Sequence, residues 1–413
     1  MQAVNGNYPA AAEWLDEFNL AMPPPGFVDN PYPFYAALRA RSPVHRIGER
    51  SWLLTRHDDV VAVYRHPAAS SDKRREFAPK FGLGSPLYEH HTNSLVFNDA
   101  PRHTRIRRLL MGALSQRTIY RMESDVQRLV QRLLDELTVR PGPCLIEHFA
   151  ARIPVDVIGN MLDVPVQERG PLRAWSLAIL SALEPQPAAE TLAAGNRAVV
   201  DFCTFLRKLI THRRQQPGDP EVDVLTRLIQ FEPEGERLNE AELLHNCIFL
   251  LNAGHETTTN LIGNGVHALQ QAWPQWQRLV AQPQLLTGAV EELLRYESPV
   301  QLSNRLAHED IALPSGTVLP AGSFITLAIG AANRDPAVFE SPEELDIGRK
   351  AQAHVAFGHG AHACAGMNVA RLEARVALGA LAARFPGLRL LGAGHRDRRI
   401  RFRGFTHLPV DLA

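Results

Sequence analysis

The residues best placed to do chemistry lie in the run Phe357-Gly-His-Gly-Ala-His-Ala-Cys364-Ala-Gly366. One cysteine sits among glycines, just ahead of a helical pattern that opens Met367-Asn-Val-Ala-Arg371. Glycine lets backbone approach a partner closely, and a helix start offers free N–H groups and positive partial charge. Together these features would depress the Cys364 pKa and favour a thiolate. A thiolate so placed can ligate iron, with the surrounding N–H groups tuning the metal. Two plainer readings stand beside this one. A lone cysteine is commonly a small buried hydrophobe. The run Gly358-His-Gly360-Ala-His-Ala363 also matches a GxGxxA dinucleotide fingerprint, but that fingerprint needs a βαβ unit and an acid about 20 residues on. Position 380 is Ala and the chain does not alternate β and α.

A second segment, Ala253-Gly-His-Glu-Thr-Thr-Thr-Asn260, falls inside a long helical pattern. Gly254 weakens a helix there, and Thr257 and Thr258 can bond back to preceding carbonyls and bend it. An acid and an alcohol beside a helix break can hold water and relay protons. The bland alternative is a polar patch on a buried helix. His255-Glu256 begins an HExxH zinc pattern, but position 259 is Thr, so the second ligand is missing. The third segment, Glu292-Leu-Leu-Arg295, puts an acid and a base on one helix face. Taken alone it reads as a solvated salt bridge. The fourth, His103-Thr-Arg-Ile-Arg107, makes a cationic face suited to two carboxylates, or an ordinary solvated basic helix.

The elements that must position these residues are mostly helices. The sequence predicts an extended lead-in over residues 21–33 and two short strands, Pro43–Ile47 and Ser51–Thr55, followed by a helix from Asp58. Residues 65–98, with their prolines and glycines, read as one irregular binding segment. Helical periodicity begins at Arg102 and continues near 152–162, 168–183, 188–215 and 220–230. The longest candidate helix covers 239–272, with Asn239 as N-cap and Glu242 completing a capping box. Its 34 residues would span roughly 50 Å. A further helix runs from Pro283 to Tyr296. Residues 305–330 predict a small strand meander, a helix resumes after Cys364 to about Phe385, and Arg401–Phe405 reads as a closing hairpin. No internal repeat or composition break divides the chain.

Composition sets outer limits. The 413 residues are 45% hydrophobic and 21% charged, ordinary globular values that leave room for a large core. Lys plus Arg and Asp plus Glu are both 44, which argues against a nucleic-acid binder. Four scattered cysteines without a CxxC pair fit a reducing compartment. No signal peptide and no apolar run of about 18 residues is visible, so a soluble cytoplasmic protein without a membrane anchor is expected.

Taken together, the four segments resemble the cytochrome P-450 family of haem-thiolate monooxygenases in its soluble bacterial form, in matching order and spacing over essentially the whole chain. Phe357–Gly366 is similar to the family's haem loop, FxxGxxxCxG. Ala253–Thr258 resembles its oxygen groove, (A/G)Gx(D/E)T(T/S), and Glu292 with Arg295 matches ExxR. Phe339, Pro342, Asp346 and Arg349 fit the segment between that pair and the haem loop. The resemblance implies a mainly α fold with small β-sheets (α+β), with residues 1–413 as a single haem domain lacking a fused reductase. It implies haem b (iron protoporphyrin IX), with Cys364 as the iron ligand and Phe357 and Gly366 flanking it. His103, Arg107, Arg305 and His362 match positions that hold the propionates, a task suited to charge-assisted hydrogen bonds. Glu256 and Thr257 would pass protons to dioxygen, Gly254 would leave room for it, and Glu292 and Arg295 would be structural.

The implied reaction inserts one oxygen atom from O2 into a small-to-medium apolar organic substrate, by hydroxylation or oxidative O-dealkylation. Electrons would come from a separate ferredoxin and ferredoxin reductase using NAD(P)H, with the enzyme a monomer. Arg102, Arg105, Arg108, Arg371 and Arg375 offer a basic docking surface for that ferredoxin. The resemblance places the small-molecule substrate among five stretches: the 75–97 segment, the 175–183 helix, Phe249–Ala253, Val300–Leu302 and the tip near Phe405. Candidate pocket residues are Phe81, Phe97, Trp175, Phe249, Ala253, Val300, Leu302 and Phe405, with Phe77 and Leu183 beside them. Lys73, Arg74 and Arg75 could meet a carboxylate or face water. The alternative function is a non-catalytic haem-binding sensor or carrier, against which the acid–alcohol pair speaks, because such a protein needs no proton relay.

Overall fold

The computed structural model describes residues 14–113, 116–221, 223–231, 236–349 and 353–412. Its centre is the helix Glu240–Gln271, which forms where the sequence predicts it. Asn239 Oδ1 accepts from the Glu242 N–H at 2.9 Å and Glu242 Oε2 accepts from the Asn239 N–H at 3.1 Å, so the capping box is complete. Most of this helix is buried, because it packs against helices Arg152–Met161, Leu172–Ser181, Ala189–Gln215, Leu286–Tyr296 and Met367–Arg384. The Gln116–Thr138 helix adds an apolar stripe, with Val126, Leu129, Val130, Leu133, Leu134 and Leu137 all in the core. Such a stripe, three and four residues apart, is what an amphipathic helix buries.

The β-structure is small and lies beside the helices. Strands β1 (Val44–Gly48) and β2 (Ser51–Leu54) form the predicted N-terminal hairpin, and a helix follows at His57–Arg65. The predicted 305–330 meander is instead divided between two sheets. Strands β4 (Leu302–Ala307) and β7 (Phe324–Ala328) join β1, β2 and β3 (Ala69–Ser70) in a five-stranded sheet of order β1-β2-β7-β4-β3, with β2 and β7 parallel. The intervening β5 (Ile311–Ala312) and β6 (Val318–Leu319) pair only with each other. The reason is burial: β7 is buried along almost its whole length and needs a strand on both edges, whereas the short β5–β6 hairpin keeps one residue per strand in solvent.

Other expectations are corrected as well. The lead-in predicted as extended over 21–33 gives way at Tyr32, where the helix Tyr32–Arg41 begins. Residues 65–98 are not one irregular segment, for they contain the helices Arg74–Phe81 and Pro86–Asn93. Gly82 and Gly84, both at positive φ, separate the two. Ser85 caps the second helix by accepting from the Tyr88 N–H at 3.2 Å, and Pro86 occupies its first turn, where a missing N–H costs nothing. The Trp273–Ala281 helix, also begun by a proline, was not expected. The C-terminal hairpin is displaced outward: β9 (His395–Arg396) pairs with β10 (Phe405–His407), inside the pair formed by β8 (Arg389–Leu390) and β11 (Val410–Asp411). Arg401–Gly404 therefore belongs to the loop between β9 and β10. Among the described residues no helix is long and apolar enough to cross a membrane.

Candidate active site

The long helix forms one wall of a cavity of about 380 Å³ that Cys364 also lines. Phe249, Ala253, Thr257 and Leu261 recur every four residues along that wall. The helix runs unbroken through Gly254, and Thr257 Oγ1 donates to the Ala253 carbonyl at 2.7 Å. A Cβ on residue 254 would lie 2.1 Å from Ile158 Cδ1. Gly254 itself lines the cavity, and the side from which it lacks a Cβ faces the tip of the Ile158 side chain on the Arg152–Met161 helix.

The cysteine loop closes the cavity from another side. The Cys364 N–H donates to the Phe357 carbonyl at 2.8 Å, and the Arg371 guanidinium stands 4.7 Å over the Phe357 ring. Gly360 has φ +69°, and a Cβ there would meet the Tyr64 carbonyl at 2.5 Å, so only glycine lets this loop rest on the His57–Arg65 helix. The expected depression of the Cys364 pKa is not found. Burial pushes the thiol up, while the Gly366 N–H, Arg107 and Arg371 pull it down less strongly. The protein alone does not create the thiolate; a cation at the sulfur would.

His103, Arg107, Arg305 and His362 come together on the cavity wall as expected. The two imidazoles are 4.0 Å apart, and His103 Nε2 is buried without a partner. Burial, then His103, Arg305 and Arg107, press the His362 pKa down to about 3. Arg305 stands over Tyr64 at 5.0 Å and donates to the Asn304 carbonyl at 2.8 Å. Asp99, an acid that acts on both His103 and Arg305, is held by Ser70 Oγ and the Ser71 N–H. A crowded set of donors and cations facing one cavity, with a sulfur at its edge, fits a macrocycle bearing two carboxylates and a central metal. The residues present therefore suit haem b.

The predicted proton pair is split. Thr257 lines the cavity, but Glu256 is buried against Arg399, which ion-pairs with it and with Asp397. Asn260 Nδ2 also donates to Glu256 Oε1 at 3.3 Å. Glu292 and Arg295 prove to be a buried pair rather than a solvated one. Both are 0% exposed and joined by two bonds of 2.7 Å. Arg349 and the Asp346 N–H complete the shell of Glu292, while Asn333, Pro342 and Glu344 supply carbonyls to Arg295.

Of the predicted pocket residues, Phe97, Phe249, Ala253, Val300 and Leu302 line the cavity, as do Phe77 and Leu183. Three do not. Phe81 stacks behind Phe77 at 4.9 Å, Trp175 packs on Phe202 at 5.0 Å, and Phe405 packs on His267 at 4.7 Å. Phe402 lines the cavity near the C-terminus instead. Sequence reasoning missed Phe402, and it also missed His90, His91 and Asn252, which line the cavity from the Pro86–Asn93 helix and the long helix. Only a helical reading of 86–93 could have brought the histidines forward. The arginines predicted as a docking surface are paired: Arg102 and Arg105 with Glu242, Arg108 with Glu236, Arg371 with Glu291, and Arg375 with Glu123.

Comparison with known proteins agrees with this geometry. Residues 266–387 match the family model described as Cytochrome P-450. The chain is 38% identical over 395 residues to cytochrome P-450 107B1 of Saccharopolyspora erythraea, covering 91% of this chain and 93% of that one. It is 38% identical over 372 residues to the cytochrome P-450 monooxygenase PikC of Streptomyces venezuelae, covering 88% and 86%. Its fold is similar to that of P450BioI, solved with an acyl carrier protein bearing hexadec-9Z-enoic acid, with a TM-score of 0.88, 33% identity, and coverage of 94% and 99%. With kinship of that extent, and a cysteine loop facing a capped helix across one cavity, the chain belongs to the cytochrome P-450 family.

Proposed function

We propose that this cytochrome P-450 monooxygenase hydroxylates a medium-sized, largely apolar organic substrate, or removes an alkyl group from its oxygen by the same insertion. The observation that carries the reading is the cavity itself. Its apolar lining includes Phe77, Phe97, Phe249, Met161, Leu183 and Val300, with Thr257 on the long helix. Apolar walls with few polar groups select an apolar ligand and orient it by those few.

When bound, haem b would supply reductive activation of dioxygen, with one oxygen atom going to the substrate and the other to water. Cys364 would hold the iron through its sulfur, and His103, Arg107, Arg305 and His362 would hold the propionates. Thr257 Oγ1 holds water against the long helix and passes a proton through its hydroxyl. Glu256 resupplies that proton from its carboxyl oxygens, which requires its contact with Arg399 to loosen. The apolar walls exclude bulk water from the reacting carbon. Electrons come from a separate ferredoxin and its reductase using NAD(P)H. Arg371 and Arg375 support this, being about one-third exposed on the helix that follows Cys364. The unpaired, buried Cys144, Cys203 and Cys247 support a reducing, cytoplasmic setting.

The test uses recombinant holoenzyme with surrogate ferredoxin, reductase and NAD(P)H against a panel of alkyl-aromatic and medium-chain compounds. One labelled oxygen atom from labelled dioxygen should appear in product. A holoenzyme with a thiolate-type ferrous–CO spectrum that consumes no oxygen with any of the panel would make it a carrier instead.

A further inference from the structure

One polar patch of the cavity lies outside the residues assigned to the cofactor. His90 and His91 project from the Pro86–Asn93 helix, and Asn252 comes from the long helix opposite. All three are buried, at 2%, 2% and 3% exposure. Asn252 Nδ2 lies 3.5 Å from His90 Nε2, and the His90 and His91 rings are 4.8 Å apart. His91 stands in a box of Phe77, Phe81 and Phe97, at 5.4, 5.3 and 5.4 Å between ring centroids. Yet His90 Nδ1, His91 Nε2 and Asn252 Oδ1 have no hydrogen-bond partner. Three unsatisfied polar atoms this deep each carry a desolvation cost, which a ligand atom can relieve.

We propose that His90, His91 and Asn252 form a recognition site for an uncharged oxygen function of the substrate, a hydroxyl or a ketone. The inference rests on the monooxygenase reading and narrows its substrate class. Charge decides against an acid. Burial holds His91 at about 3 and His90 well below its usual value, so both rings are neutral near pH 7. Neutral rings and an amide offer donors and acceptors but no charge to balance a buried carboxylate. The cations around the cavity are engaged elsewhere: Lys73 is paired with Glu76 at 2.9 Å, Arg401 donates to the Leu302 carbonyl and to Asn304 Oδ1, and Lys80, the cation that acts on His91, donates to the Leu183 and Glu184 carbonyls. Position follows from the helix. Asn252 precedes Thr257 by five residues, so the anchored oxygen sits about 7.5 Å along the helix axis from the threonine level. The oxidised carbon is thus remote from the anchored oxygen rather than adjacent to it.

The test measures binding to holoenzyme by the absorption change on loss of the iron's water, with calorimetry alongside. The probes are 1-decanol, decanoate and decane. Decanol should bind the parent protein several-fold more tightly than decanoate or decane. Asn252→Leu should cut the decanol affinity roughly tenfold, the scale of one buried hydrogen bond, and leave decane unchanged. His91→Phe, which the phenylalanine box accommodates, should do the same. Decanoate binding as tightly as decanol, equal losses for decanol and decane in both variants, or no binding of any probe would overturn the site. A thiolate-type ferrous–CO spectrum recorded first separates these results from failure of the monooxygenase reading.

Discussion

Among the buried glutamates that meet an arginine in this molecule, Glu292 and Glu256 sit in pairs built to opposite ends. Glu292 and Arg295 lie three residues apart on one helix, and every guanidinium nitrogen of Arg295 is used, by Glu292 or by a backbone carbonyl. Glu256 and Arg399 are 143 residues apart, and Arg399 sits on the loop between β9 and β10. Arg399 is shared with Asp397, and its Nη1 has no partner. The first pair is a closed network that fixes the backbone at Asn333, Pro342, Glu344 and Asp346. The second is open: Arg399 can keep Asp397 while releasing Glu256, which a proton carrier needs and a structural strut does not.

The comparison can be broken in four places. Arg295→Met should have the largest effect. Removing one partner of a buried pair leaves an uncompensated charge and costs about 3–5 kcal/mol. Urea unfolding and the haem-to-protein ratio should both show the loss; a change under about 1 kcal/mol would deny that the network is closed.

A third buried glutamate calibrates the scale. Burial alone would raise the Glu297 pKa, but Arg403, Arg396 and Arg334 overcome it and hold the carboxyl at about 2, well below the usual carboxylate range. The folded-state pKa is depressed, so this stability is present above pH 4.5 and is lost as pH falls through about 2. It amounts to about 3 kcal/mol. Acid titration of the unfolding free energy should show that slope, and Glu297→Gln should flatten it.

Arg399→Gln should cost less than Arg295→Met, about 1.5–3 kcal/mol, the scale of a hydrogen bond to a charged group. Haem content should be retained while product formed per NAD(P)H changes at least about twofold, as suits a general acid–base step. Unchanged coupling would make this pair a strut like the other. Smallest in stability is Thr257→Ala, within about 1 kcal/mol, since its hydroxyl bonds only the preceding turn. Its mark is chemical: oxygen should be diverted to peroxide and product per NAD(P)H should fall several-fold.

Local chemistry explains what could be read from the sequence. The capping box at Asn239, the stripe from Val126 to Leu137 and the glycines around Cys364 act through neighbours a few residues away, and spacing reveals them. The ExxR pair was visible as a spacing, but its burial depends on carbonyls of Asn333, Pro342 and Glu344 that only the folded chain supplies. Glu256 reads as facing the oxygen groove until Arg399 is brought to it. Trp175 and Phe405 are aromatic in the right stretches yet turn into packing, because Phe202 and His267 offer their rings from other elements. The 65–98 segment misled because Pro79, Gly82, Gly84 and Pro86 read as breakers, whereas all but Pro79 lie at or between the ends of two eight-residue helices.

The contact between Gly254 and Ile158 has a consequence for how the enzyme's ligand range can drift. Ile158 belongs to the helix Arg152–Met161, and Met161 and Leu162 at its end also line the cavity. A methyl group at position 254 would meet the tip of the Ile158 side chain, which itself lines the cavity and would have to turn aside. The width of the chamber at that level therefore depends on how one side-chain tip packs, and substitutions along that seam would resize it while the cysteine loop stays untouched.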